Sequence, residues 1–133
     1  VSPLDHIGLR CIDLERSLAF YRAALAALGL DIVMEVSAEQ SGDRRHIGFG
    51  RDGKPSVWLT DGATATGGGL HLAVVAADRA QVDAFHRAGL AAGGRDNGAP
   101  GLRPHYHPNY YGAFLLDPDG HNIEAVCHHP AST

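Results

Sequence analysis

Apolar positions along this chain follow two rhythms, and the pair of rhythms occurs twice. The runs from Ile7 to Ile12 and from Leu70 to Ala77 are apolar enough to be strands buried on at least one face. Beyond Asp13, the residues Leu14, Leu18, Tyr21, Leu25 and Leu28 recur at steps of three and four, which predicts an amphipathic helix stopped by Gly29 at its C′ position. In the second copy Val82 and Phe85 stand one turn apart, and the helix ends near Gly93 and Gly94. Asp13 and Asp78 are placed to cap these helices, each contributing about 1 kcal/mol through a bond to an otherwise unpaired helix N–H.

Laying His6 over His71, an offset of 65 residues, makes six of the next eighteen positions identical: His6/His71, Asp13/Asp78, Ala19/Ala84, Phe20/Phe85, Arg22/Arg87 and Ala23/Ala88. The identities fall on positions with structural jobs, so the repeat is real. After the first helix, Asp31 to Val36, Arg45 to Gly50 and Ser56 to Thr60 read as strands, separated by turn residues at 41–43 and 51–55. After the second, a weak strand at Gly94 to Asn97 precedes a Pro/Gly-punctuated stretch from Gly98 to Asn109. Tyr110 to Leu116 and Asn122 to Cys127 then flank the turn Asp117-Pro118-Asp119-Gly120. Each half therefore reads βαβββ. The expected architecture is α+β, a single domain over 1–133 with module one at about 4–62, a Gly-rich linker at 62–69 and module two at about 69–128.

Length and composition agree with one domain. The chain has 133 residues, of which 44% are hydrophobic and 20% charged, so disorder is not expected. A formal charge of -4 and a pI near 6.1 argue against a protein that tracks nucleic-acid phosphates. Two cysteines, Cys11 and Cys127, are too few for a disulfide scaffold or a cysteine zinc site, and they fit a reducing cytoplasm as small buried hydrophobes. Charges among the first twenty residues interrupt any signal-peptide core, and no apolar run approaches the roughly 20 residues of a membrane span.

The segments LDHIGLRCIDLERSLAFYRAALAALGL, GGGLHLAVVAADRAQVDAFHRAG and GAFLLDPDGHNIEAV carry a resemblance that spans nearly the whole chain. With a His on the first strand of each module and the closing DPDGxxIE pattern, the sequence resembles the glyoxalase/bleomycin-resistance/dioxygenase superfamily, also called the vicinal oxygen chelate family. The resemblance implies paired βαβββ modules curled into an incomplete barrel around a divalent metal. Its metal positions fall on His6, His71 and Glu124, while the fourth matches Trp58, which cannot ligate a metal. Two His and one carboxylate suit one divalent ion of Fe, Mn, Zn or Ni. The alternative is a metal-free cavity in which Glu124 pairs with Arg10 or a His.

Around that centre, His105, His107, Tyr110 and Tyr111 are candidates for proton transfer, and Arg10 and Trp58 for contacts with the substrate. His46, His86 and His121 read as structural or exposed. The implied activity is that of a metal-dependent lyase, isomerase or extradiol-type dioxygenase on a small molecule that chelates through adjacent oxygens. The carboxylate that glyoxalase I carries at the position of Trp58 is missing, which argues against that activity. Fosfomycin-modifying thiol transferases share the ligand set and length, but the chain has no counterpart of their substrate-loop pattern. A non-catalytic drug-binding protein is the rival from another class. The resemblance leaves open whether the site lies within one chain or across a homodimer, which exposed strand edges favour.

Overall fold

The computed structural model describes residues 3–62, 64, 67 and 70–131, so most of the Gly-rich linker lies outside the described residues. Module one contains β1 (Ile7–Cys11), α1 (Leu14–Ala26), β2 (Asp31–Val36), a one-turn α2 (Ala38–Ser41), β3 (His46–Arg51) and β4 (Lys54–Asp61). Module two contains β5 (His71–Val75), α3 (Arg79–Ala91), β6 (Arg95–Leu102), β7 (Tyr111–Leu116) and β8 (Asn122–Cys127). The strands form two mixed sheets with orders β1-β4-β3-β2 and β5-β8-β7-β6, which do not close into a barrel. In each sheet the first strand pairs in parallel with the last, and the other pairs are antiparallel.

Local chemistry explains the helix limits. The carboxylates of Asp13 and Asp78 accept from the backbone N–H of Arg16 and Gln81, the expected N-caps. At the other end of α1, Leu30 N–H donates to Leu25 C=O and Gly29 N–H to Ala26 C=O, with Gly29 at φ 81°. The same pattern ends α3, where Gly94 donates to Gly89 and Gly93, at φ 104°, donates to Leu90. Both are Schellman closures that need a left-handed residue at C′.

Alternation then sorts each sheet into two faces. On β1, Leu9 and Cys11 face α1 with Leu18, Phe20 and Leu25. On β7 and β8, Leu115, Ile123 and Ala125 face α3 with Val82 and Phe85. The helices join the modules. Gly89 of α3 packs where a Cβ would stand 3.2 Å from Phe20 Cε1 and 3.5 Å from Ala24 Cβ of α1.

Two elements depart from the sequence reading. The strand expected at 94–97 runs on through Pro100 to Leu102, because Pro100 falls in the register shift between Gly98 and Gly101 of this edge strand, where it has no ladder partner to lose. The α2 turn comes from a Ser37/Gln40 capping box between strands. Among the described residues no helix is long and apolar enough to cross a membrane.

Candidate functional site

The register of the two sheets relates the modules residue by residue. Trp58 on β4 lies opposite Gly8 on β1, and Glu124 on β8 lies opposite Ala73 on β5. Gly8 and Ala73 differ by the repeat offset of 65 and Trp58 and Glu124 by 66, so Trp58 occupies the place of Glu124 after one inserted residue. The face opposite each helix carries these side chains.

Two cavities open on those faces. One, of about 340 Å³, is lined by His6, Gly8, Val36, His46 and Trp58 of module one. The other, of about 350 Å³, is lined by His71, Tyr106, Tyr110, Phe114 and Glu124 of module two. They share no residue.

In the second cavity Glu124 is only 1% exposed, and its carboxylate is fully engaged. Its Oε1 lies 2.8 Å from His71 Nε2, and its Oε2 accepts from the Tyr110 hydroxyl. Burial, and then the carboxylate beside it, push the Tyr110 pKa well above its usual value, so this phenol keeps its proton through the neutral range. Gly112 makes room for the contact, since a Cβ there would lie 3.1 Å from the Tyr110 ring and 3.3 Å from Glu124 Oε2. The His71 ring, half exposed, stands 6.1 Å from the ring of Phe114.

In the first cavity His6 precedes β1 and its Nδ1 lies 2.6 Å from Asp5 Oδ2. That hydrogen bond is the main reason the Asp5 carboxyl titrates below its ordinary value. His46 Nδ1 lies 2.9 Å from Thr60 Oγ1. The Trp58 indole covers Gly48, where a Cβ would come within 3.0 Å of the ring.

Imidazole and carboxylate are donors that divalent ions of the Fe, Mn, Zn or Ni type accept, so the chemistry of the His71/Glu124 pair fits such an ion. Among the described residues no third such donor stands beside them within the chain: no three His, Cys, Asp or Glu side chains group so as to hold a metal, and His6 faces the other cavity.

The remaining candidates fall into three environments. Tyr110 lines the second cavity. His105 and His107 line neither cavity: the His105 and Tyr106 rings lie with centres 4.1 Å apart, tilted by 48°, and His107 meets His128 at 5.7 Å. Tyr111 lines neither cavity. One residue on from Tyr110, it turns to the helix side, where its hydroxyl donates to Asp83 at 2.7 Å and Arg79 covers its ring. Arg10 is an exposed residue of β1 and lines neither cavity.

Phe114 and Tyr106 are lining residues that the sequence reading missed. The β7–β8 register, which sets Phe114 against Glu124, is the signal that could have found Phe114. His121, expected to be structural or exposed, is buried with its Nδ1 2.9 Å from Asp117 Oδ2.

Comparison with known proteins gives this arrangement a family. The model of the Glyoxalase/Bleomycin resistance protein/Dioxygenase superfamily matches residues 3–125. A glyoxalase/bleomycin resistance protein from Albidiferax ferrireducens superposes with a TM-score of 0.77 at 32% identity, covering 97% of this chain and 100% of that one. A glyoxalase I variant from Zea mays superposes at 0.73 with 25% identity over 95% of this chain, which spans 47% of that longer protein. A domain of this kind from Frankia sp. shares the fold at 0.69 with 18% identity, over 99% and 96% of the two chains. No curated protein matches the sequence.

Proposed function

Because the chain belongs to the glyoxalase/bleomycin resistance protein/dioxygenase superfamily, we propose that it is a metal-dependent enzyme whose reaction centre forms between two copies. His71 and Glu124 of one copy and His6 of the other hold one divalent ion. The observation that carries this reading is the division of the three ligand residues between two cavities on one chain. A symmetric pair that sets the first module of each copy against the second module of the other makes two identical, complete sites. The edge strands β1 and β5 gain cover in such a pair.

An ion held there supplies Lewis acidity to a small substrate that chelates through two neighbouring oxygens. The chain's own groups do the rest. Tyr110, protonated at neutral pH, is a hydrogen-bond donor next to Glu124 rather than a base. Its single proton is donated to Glu124 Oε2 here, so donation to a substrate oxygen that gains negative charge requires that bond to break first. Asp5 fixes the His6 ring through Nδ1, which leaves Nε2 as the ligating nitrogen. Trp58 carries no titratable proton, so the first module offers no carboxylate base at the position equivalent to Glu124, and glyoxalase I chemistry is not the reaction proposed. Lyase, isomerase or extradiol-type dioxygenase chemistry is.

One observation favours a second reading. Glu124 is already satisfied inside the chain by His71 and Tyr110, as in a metal-free cavity that sequesters a small molecule. Metal analysis of the reconstituted protein separates the two. The enzyme reading predicts about one equivalent of divalent ion per chain, lost in His71→Ala and Glu124→Ala. Less than about a tenth of an equivalent of every transition metal after reconstitution would leave the binding protein.

A further inference from the structure

We propose that the first-module cavity is a subsite for a flat aromatic group of the ligand, with the Trp58 indole as its wall and the β1 backbone at Gly8 as its floor. This deepens the proposed function by naming the substrate's chemical class, and it rests on that reading only for the identification of the ligand as a substrate.

Three residues form a row across the first sheet. Gly8, Trp58 and Gly48 stand opposite one another across β1, β4 and β3, so their side-chain directions share one face. The two glycines differ. A Cβ on Gly48 would come within 3.0 Å of the indole Cη2 and Cζ3 atoms and 2.9 Å of Pro55 Cβ, so the ring lies across β3 and needs a glycine beneath it. A Cβ on Gly8 would meet nothing within 4 Å, so the space on the other side of the same row is open. A large aromatic wall beside a bare strand makes a slot.

The chemistry of the lining selects the occupant. His6 and His46 border the slot and Val36 completes it, while no carboxylate, Lys or Arg is among the lining residues. The Nδ1 atoms of both imidazoles are already bonded, to Asp5 and to Thr60. Stacking on an indole favours a planar π-system over a saturated ring of equal size. A volume of about 340 Å³ is at the small end for a ligand pocket, which suits one or two fused rings. The second cavity is different in kind, since it contains the buried Glu124.

Trp58 is the only Trp in the chain, so a single indole N–H resonance reports on this slot. The test titrates 2-naphthol and, separately, decahydro-2-naphthol into the full chain with and without zinc, following that resonance and the bound zinc. The proposal expects saturable shifts and naphthol-to-indole NOEs with 2-naphthol in both states, and no comparable shift with the saturated alcohol. Gly8→Leu, whose side chain enters open space, should weaken 2-naphthol at least about tenfold. An unmoved indole resonance, equal effects of the two probes, or unchanged binding by a folded Gly8→Leu would each overturn the subsite. The NOEs decide the matter if that variant does not fold. Zinc that fails to bind while 2-naphthol binds would refute the metal-dependent reading and leave this one standing.

Discussion

The Tyr21 hydroxyl donates to Asp117 Oδ2 at 2.5 Å across 96 residues of sequence, tying α1 of the first module to the β7–β8 turn of the second. Both groups are buried. Burial, and then the Asp117 charge, hold the Tyr21 pKa well above its ordinary value. The folded value is raised, so the contribution to stability is complete below the unfolded tyrosine value of about 10 and is lost as pH climbs from there toward the folded value. Tyr21→Phe should therefore cost about 1–3 kcal/mol at neutral pH and flatten the loss of stability above about pH 10. Urea unfolding between neutral and alkaline pH reads both effects, and an equally steep alkaline loss in the variant would contradict the assignment.

Gly89 sets a limit on how closely the two helices can approach. At an exposed helical site Gly→Ala gains up to about 1 kcal/mol. Here the new methyl would run into Leu115 Cδ1 and stand 3.2 Å from the fully buried Phe20 ring. Overpacking of a tight core costs about 1–3 kcal/mol and outweighs the propensity gain. Gly89→Ala should lower the thermal midpoint, and a rise would mean that the helices can separate without loss.

Glu124 separates binding chemistry from folding. Glu124→Gln keeps the shape and the capacity to meet His71 and Tyr110 through hydrogen bonds, so its cost in stability should be about 1 kcal/mol. Its effect on retained metal should be nearly complete, because an amide is a much poorer ligand than a carboxylate. Paired denaturation and metal analysis check this; unchanged metal in a folded Glu124→Gln protein would remove Glu124 from the ligand set.

Much of the framework was legible because single residues carry it. Asp13 and Asp78 mark where the helices begin, Gly29 and Gly93 where they end, and the one-residue insertion between Trp58 and Glu124 reappears as strand register. What escaped depends on context that no single residue holds. Pro100 sits in a strand because it falls where the register of that edge strand shifts and leaves it unpaired. Tyr111 and Tyr110 are adjacent, and only the β7–β8 pairing decides which of them faces Glu124. The separation of His6 from His71 and Glu124 is a matter of how the modules pack, and it has no signature in local periodicity.

Mixing two chains that each lack one ligand reveals whether the metal site is shared between two copies. His6→Ala and Glu124→Ala should each bind no metal alone. Unfolded together and refolded, they should recover about a quarter of the sites, since random pairing makes about half of the dimers mixed and each mixed dimer has one intact site. Recovery at that level, absent from either variant alone, is the predicted result. If the mixture stays metal-free although mixed dimers have formed, or if His6→Ala alone retains a full equivalent, the shared site is contradicted.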